Sequence, residues 1–201
     1  MRSTARFDAA GIASPSETEQ SGFRKFRSLP TAKLMAYVCE CCGKSHDGLP
    51  LDLVFAKPGA YLALTPRQQK SNCVLTEAIC TIGKKRFFIR GSLPVPLLEI
   101  GSVFVWGVWA EVSKPVFERF REVSQSGAAE ELPSFGALSV EREPLLRGID
   151  QLPVMIRFGA AGKSPTFIVE PSNHWLCRDQ QNGITLHRLH QMLHAFFPHH
   201  F

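Results

Sequence analysis

Val103-Phe-Val-Trp-Gly-Val-Trp-Ala-Glu-Val112 is apolar at both alternating sets of positions. A strand with one wet face alternates apolar and polar residues. A run like this one belongs in the middle of a sheet, covered on both sides. Gly107, between Trp106 and Trp109, is expected to mark a bulge or a close approach by another backbone. The two Trp read as core packing.

Hairpins flank this segment on both sides. Ile79–Ile82 and Arg86–Arg90 are joined by Gly83-Lys84, a turn with glycine first. Val154–Phe158 and Thr166–Glu170 are joined by Gly159-Ala-Ala-Gly162-Lys163, a stretch too short, and without a following helix, to be a phosphate loop. Leu34–Val38 and Leu49–Phe55 read as extended, with Pro50 favouring a sheet edge.

Three helices are predicted. Thr65 as N-cap, Pro66 at the first helical position and Gln68 at the capping-box spacing place one over Pro66–Leu75. A second starts at Ser113 or Lys114, with Val116, Phe117, Phe120 and Val123 inward. The last covers Ile184–Phe197 and buries Leu186, Leu189, Leu193 and Phe196. Ser126–Pro153 reads as loop. Hairpins rather than crossovers give an α+β fold with a mainly antiparallel sheet and about three helices.

The 201 residues and 44% hydrophobic content support one domain with a substantial core. Residues 1–33 read as a disordered tail and 34–201 as a single α+β domain. The tail holds +3 of the +5 net charge, so the folded part carries no basic stripe and no nucleic-acid partner is expected. No apolar run reaches the length of a membrane span. Six Cys without a secretory leader point to a reducing, cytoplasmic setting, where metal binding is favoured over disulfides.

Chemistry concentrates in Cys39-Glu-Cys41-Cys42-Gly43-Lys44-Ser45-His46. A Cys-x-x-Cys-Gly turn lets two thiolates and the intervening N–H groups converge on one soft cation, in the manner of a zinc knuckle. Cys39, Cys42 and Cys80 are the expected thiolate ligands of Zn2+, with His46 or His174 as the fourth donor. Cys41 points away. Four protein ligands would make the site structural, and three would leave a position open for hydrolysis. Cys39 and Cys42 also allow a thiol redox reading.

Elsewhere, Glu170 and His174, with Arg90, form the candidate catalytic set, a carboxylate and an imidazole able to act as base and orienter. A structural ion pair between Glu170 and Arg90 is the competing reading. His187, His190 and His194 read as a solvated helix edge.

Several short motifs then keep a distinctive order: Cys39-x-x-Cys42-Gly43 with His46, Leu49-Pro-Leu51, Cys80, Phe88-x-Arg90-Gly91 and Phe104-x-Trp106-Gly-Val-Trp109. Phe135-Gly136, Glu170-Pro-x-x-His174 and Gln180 with Gly183-Ile184 follow. In this order the chain resembles the bacterial domain-of-unknown-function family numbered 2199, over roughly residues 36–190. Ala78 and Ala137 stand where that resemblance implies Asp and Trp, and Asn173–Cys177 replaces an implied Asp-His-Pro-Leu-Ala. Any acid the family used at those places is missing here.

The family name carries no activity, so the resemblance implies a fold and a site more than a reaction. The expectation is a small bacterial zinc-binding structural or interaction module with a protein or small-molecule partner. A metal-dependent hydrolase and a thiol redox protein are the alternatives.

Overall fold

The computed structural model describes residues 37–38, 43, 45–46, 48–126, 132–140, 148–160 and 162–196. The 1–33 tail expectation, together with Cys39, Cys41 and Cys42, lies outside them. The fold is α+β, with a mixed sheet partly closed into a five-stranded barrel.

Its spine is one long hairpin, β6 (Arg86–Leu97) and β7 (Ser102–Val112), paired along their whole length from Phe87↔Val112 to Leu97↔Ser102. Each outer edge of this hairpin is shared by two partners. On the β7 side, β3 (Asp52–Val54) runs parallel to Val105–Gly107, and β8 (Ser134–Leu138) antiparallel to Ala110–Val112. On the β6 side, β5 (Ile79–Ile82) takes the first half, while β10 (Thr166–Val169) meets Ser92 in parallel. β9 (Pro153–Arg157) joins β8 to β10, closing the ring β6-β7-β8-β9-β10. β4 (Cys73–Leu75) extends the sheet beyond β5, and β1 (Tyr37–Val38) and β2 (Ser45–His46) pair as a separate hairpin.

Val103–Val112 is the central strand that its composition predicts: Phe104, Trp109 and Ala110 are fully buried. The Trp109 indole donates to the Phe55 carbonyl at 2.9 Å, tying β7 to the chain after β3. A Cβ on Gly107 would stand 2.9 Å from a Val54 methyl, so the glycine makes room for a side chain rather than for another backbone. The Gly83-Lys84 turn has φ of +59° and +57°, the left-handed pair that a two-residue hairpin needs.

Five helices occur among the described residues, against three predicted. They are α1 (Gly59–Leu62), α2 (Pro66–Asn72), α3 (Lys114–Ser126), α4 (Trp175–Asn182) and α5 (Leu186–Phe196). The capping box at Thr65 and Gln68 forms in both directions. However, α2 stops at Asn72 because β-favouring Cys73-Val74-Leu75 pairs with β5. Helix α3 lays Phe117 and Phe120 against Phe87 and Phe158, with ring centroids 5.1 and 5.8 Å apart.

The sheet is mixed rather than built from hairpins alone, since β3–β7 and β10–β6 are parallel. Strand β6 also continues seven residues past Arg90, through Pro94 and Pro96. Ser92 donates its N–H towards β10, to Pro165 at 2.8 Å. Alternate residues share that direction, so Pro94 and Pro96 also face the β10 side, and neither has an N–H to offer. The β6–β10 ladder therefore stops at Ser92. The prolines are tolerated because they stand where pairing ends.

The short parallel seam depends on a glycine. A Cβ on Gly91 would lie 2.5 Å from the buried Phe167 ring. Gly91→Ala is expected to destabilise the protein by about 1–3 kcal/mol through overpacking. Urea denaturation should show it, with part of the loss recovered in Gly91→Ala/Phe167→Leu.

Candidate functional site

Cys80 sits on β5, opposite Leu75 on one side and Phe88 on the other, and is fully buried. Burial, and after it the nearby Cys73 thiol, pushes its pKa up to about 12. As a free thiol it is protonated at neutral pH and a poor nucleophile. A bound dication would reverse that preference, since a coordinating thiol gives up its proton. Cys177, on α4, is also buried.

The Cys-x-x-Cys-Gly stretch lies between β1 and β2, which pair with Tyr37 opposite His46 and Val38 opposite Ser45. Gly43, in its loop, has φ +66°. No group of three or more His, Cys, Asp or Glu able to hold a metal occurs among the described residues, and Cys39 and Cys42 are not among those residues.

His174 has a local duty. It is the N-cap of α4, its Nδ1 accepting from the Leu176 N–H at 3.2 Å. It follows β10 at the end where β6 finishes, whereas Cys80 pairs at the start of β6. Its Nε2 is buried with no hydrogen-bond partner among the described residues, beside Gly148, whose φ of +80° and missing Cβ make room for the ring.

Glu170 and Arg90, two of the candidate catalytic residues, stand at different places along the sheet. No ion pair links Glu170 and Arg90 among the described residues, and the Glu170 backbone N–H bonds to Pro153 at the far end of β10. Arg90 lies beside Ala78 on β5's side, its guanidinium 6.0 Å from the Trp109 ring centroid. The structural ion pair between the two fails for the same reason.

The helix α5 histidines also differ from expectation. His190 is fully buried rather than on a solvated edge, and its ring lies 6.0 Å from that of His194. Since α5 packs with Leu189 and Leu193 inward, the residue adjacent to Leu189 is carried under with them.

Sequence reasoning missed three features. Cys73 was absorbed into an over-long helix. Asp179 lies 3.9 Å from Arg188, and burial raises its pKa against the opposing pull of Arg188, Arg178 and His174. A cleft of about 200 Å3 lies between α4 and α5, lined by Trp106, Trp175, Arg188, Gln191, Met192 and Phe196. It offers aromatic faces and one guanidinium, with no nucleophile or carboxylate among the described residues that line it.

Gln180 holds the seam left open by the prolines. Its amide donates to the carbonyls of Pro94 (3.2 Å) and Phe167 (2.9 Å) and accepts from the Val169 N–H (2.8 Å). Ile184 takes the Pro96 carbonyl at 2.8 Å, and Gly183, at φ +77°, turns the chain into place. The Gln180, Gly183-Ile184 motif is thus a barrel closure.

The fold and these motifs define a small α+β barrel domain whose ordered signatures are mainly structural. Residues 38–184 match the family described as "Uncharacterized protein conserved in bacteria (DUF2199)", and the chain belongs to that family. No curated protein and no solved structure matches it. No helix among the described residues is long and apolar enough to cross a membrane.

Gln180→Leu is expected to cost about 2–4 kcal/mol, because three backbone partners lose their hydrogen bonds together. Denaturant titration would measure it. For Asp179 the folded carboxyl holds its proton more tightly than the unfolded one. Its contribution is full below the ordinary carboxylate range and is lost as pH rises through the folded value. Relative to Asp179→Asn, wild type should therefore lose stability as pH climbs from about 3 to 7, read from urea midpoints across that range.

Proposed function

We propose that this protein is a zinc-stabilised binding or interaction module of the bacterial cytoplasm, with Cys39, Cys42 and Cys80 as thiolate ligands. The observation that carries the reading is the β1–β2 pairing around a Cys-x-x-Cys-Gly loop whose glycine has φ +66°. A Cys-x-x-Cys-Gly turn between paired strands would let two thiolates and the flanking N–H groups converge on one soft cation. The buried Cys80 thiol supplies a donor of matching softness on the sheet. Zinc would tie the N-terminal hairpin to the barrel and contribute directly to folding.

The cytoplasmic reading is supported by Cys73, Cys80 and Cys177, which are free thiols, as a reducing compartment would keep them. The hydrolase alternative, with an open zinc position assisted by Glu170 or His174, is disfavoured by the capping role of His174 and its distance from Cys80 along β6. The redox alternative rests on Cys39 and Cys42 alone, since Cys80 is held protonated.

Untagged protein prepared without chelator should contain about one zinc per chain. Cys80→Ser should lose both the metal and thermal stability, and chelation should destabilise wild type in the same way. A metal-free wild type with titratable thiols at Cys39 and Cys42 would overturn the zinc reading in favour of redox chemistry.

A further inference from the structure

Three elements build the cleft between α4 and α5. Strand β7 supplies Trp106, α4 supplies Trp175, and α5 supplies Arg188, Gln191, Met192 and Phe196. The α5 residues stand at i, i+3, i+4 and i+8, on one face of that helix. Trp106 is only 3% exposed, packed against Phe55, Phe104 and the Phe196 ring, whose centroid lies 5.9 Å away. The Arg188 guanidinium lies over the Trp175 ring, 6.0 Å from its centroid, a cation–π contact that holds the charge beside the cleft.

The polar groups of this lining are mostly donors. A buried tryptophan N–H ordinarily finds an acceptor, as Trp109 does in the Phe55 carbonyl. Neither the Trp106 nor the Trp175 indole N–H has an acceptor among the described residues. Arg188 is also open: its ion-pair partner Asp179 stands 3.9 Å away, beyond hydrogen-bond range, and does not line the cleft. The Gln191 amide nitrogen is already engaged, 2.9 Å from His187 Nε2. Two indoles and a guanidinium can only donate, so the group that complements them is an anionic acceptor. A carboxylate matches the fork of a guanidinium. The rest of the lining is aromatic ring and thioether, which suits a flat ring better than an alkyl chain. At about 200 Å3 the cleft is smaller than the roughly 300–1,000 Å3 of sites for drug-sized ligands. It has room for one ring and its carboxylate, and none for a nucleotide.

We propose that this cleft binds a small aromatic carboxylate. Arg188 and the indole N–H groups take the carboxylate, and the ring lies against Trp106, Met192 and Phe196. The proposal rests on the binding-module half of the reading above and names its ligand class. It shares no residue with the proposed zinc ligands.

The test uses the full chain with benzoate as the probe, followed through the three indole N–H signals in proton–nitrogen correlation spectra. Benzoate should shift the Trp106 and Trp175 signals saturably and leave that of Trp109, held by the Phe55 carbonyl, in place. Benzyl alcohol has the ring without the charge, and inorganic phosphate has the charge without the ring. Each should bind at least about tenfold more weakly than benzoate. Arg188→Gln should weaken benzoate by a similar factor, and Arg188→Lys should recover part of the loss, since charge returns without the fork. Should Arg188→Gln fail to fold, as read by its urea midpoint, the comparison of the three probes on wild type decides alone. No saturable shift, equal binding of benzyl alcohol or phosphate, or a folded Arg188→Gln with unchanged affinity would overturn the proposal and leave the zinc reading in place. A metal-free protein that still binds benzoate through Arg188 would support it and overturn only the zinc.

Discussion

A meander of five strands, each antiparallel to the last, returns with its final strand pointing the same way as its first. Closing such a ring therefore requires one parallel pairing, and here it falls between β10 and β6. That seam is the constraint on which the remainder depends. It is short, paired at Thr166↔Ser92, and it ends where Pro94 and Pro96 withdraw the N–H groups that would continue it. The orphaned carbonyls then need donors, because a buried unpaired acceptor is costly. Helix α4 exists at that place to bring Gln180 to Pro94, and the chain leaving it brings Ile184 to Pro96.

Seen this way, the ordered motifs acquire physical meanings. Gly91 yields space to the Phe167 ring, and Gly107 to Val54. At Gly136, a Cβ would stand 2.7 Å from the Glu111 carbonyl, which would force β8 away from β7. Trp109 bonds Phe55, and His174 starts the helix that carries Gln180. These residues recur along the chain because one closed ring needs each of them at one place. They describe how the barrel is shut and leave the cysteines as the chemistry still to be explained.

Legibility in the sequence followed locality. The Gly83-Lys84 turn, the Thr65 capping box and the doubly buried Val103–Val112 strand depend on neighbours within a few residues, and each could be read directly. The extension of β6 through two prolines could not, because its tolerance depends on which edge faces β10, a fact some seventy residues distant. Strand β8, only Ser134–Leu138 with a central glycine, has too little alternation to stand out from loop. Helix α4 is polar over most of its surface and is stabilised by the cap and the Gln180 bonds rather than by an apolar stripe. For the site, Cys80 was placed on its strand, whereas Cys73 was hidden by propensity running the preceding helix too far. The role of His174 as a cap had a signal, an imidazole just before Trp175, but one shared with any loop histidine.

The seam also sets an order on biosynthesis. The spine hairpin leaves the ribosome early, and its neighbours β5 and β3 are already available to pair with it. The ring cannot shut until β10 and, after it, Gln180 and Ile184 have emerged. Until then the second half of β6, from Ser92 onward with the core residue Leu93, lacks its β10 neighbour along the edge that the prolines help to define. Proline on an open edge discourages a second chain from pairing there. The same two residues that shorten the native ladder thus guard the nascent one, during the interval when the protein is most able to associate with copies of itself.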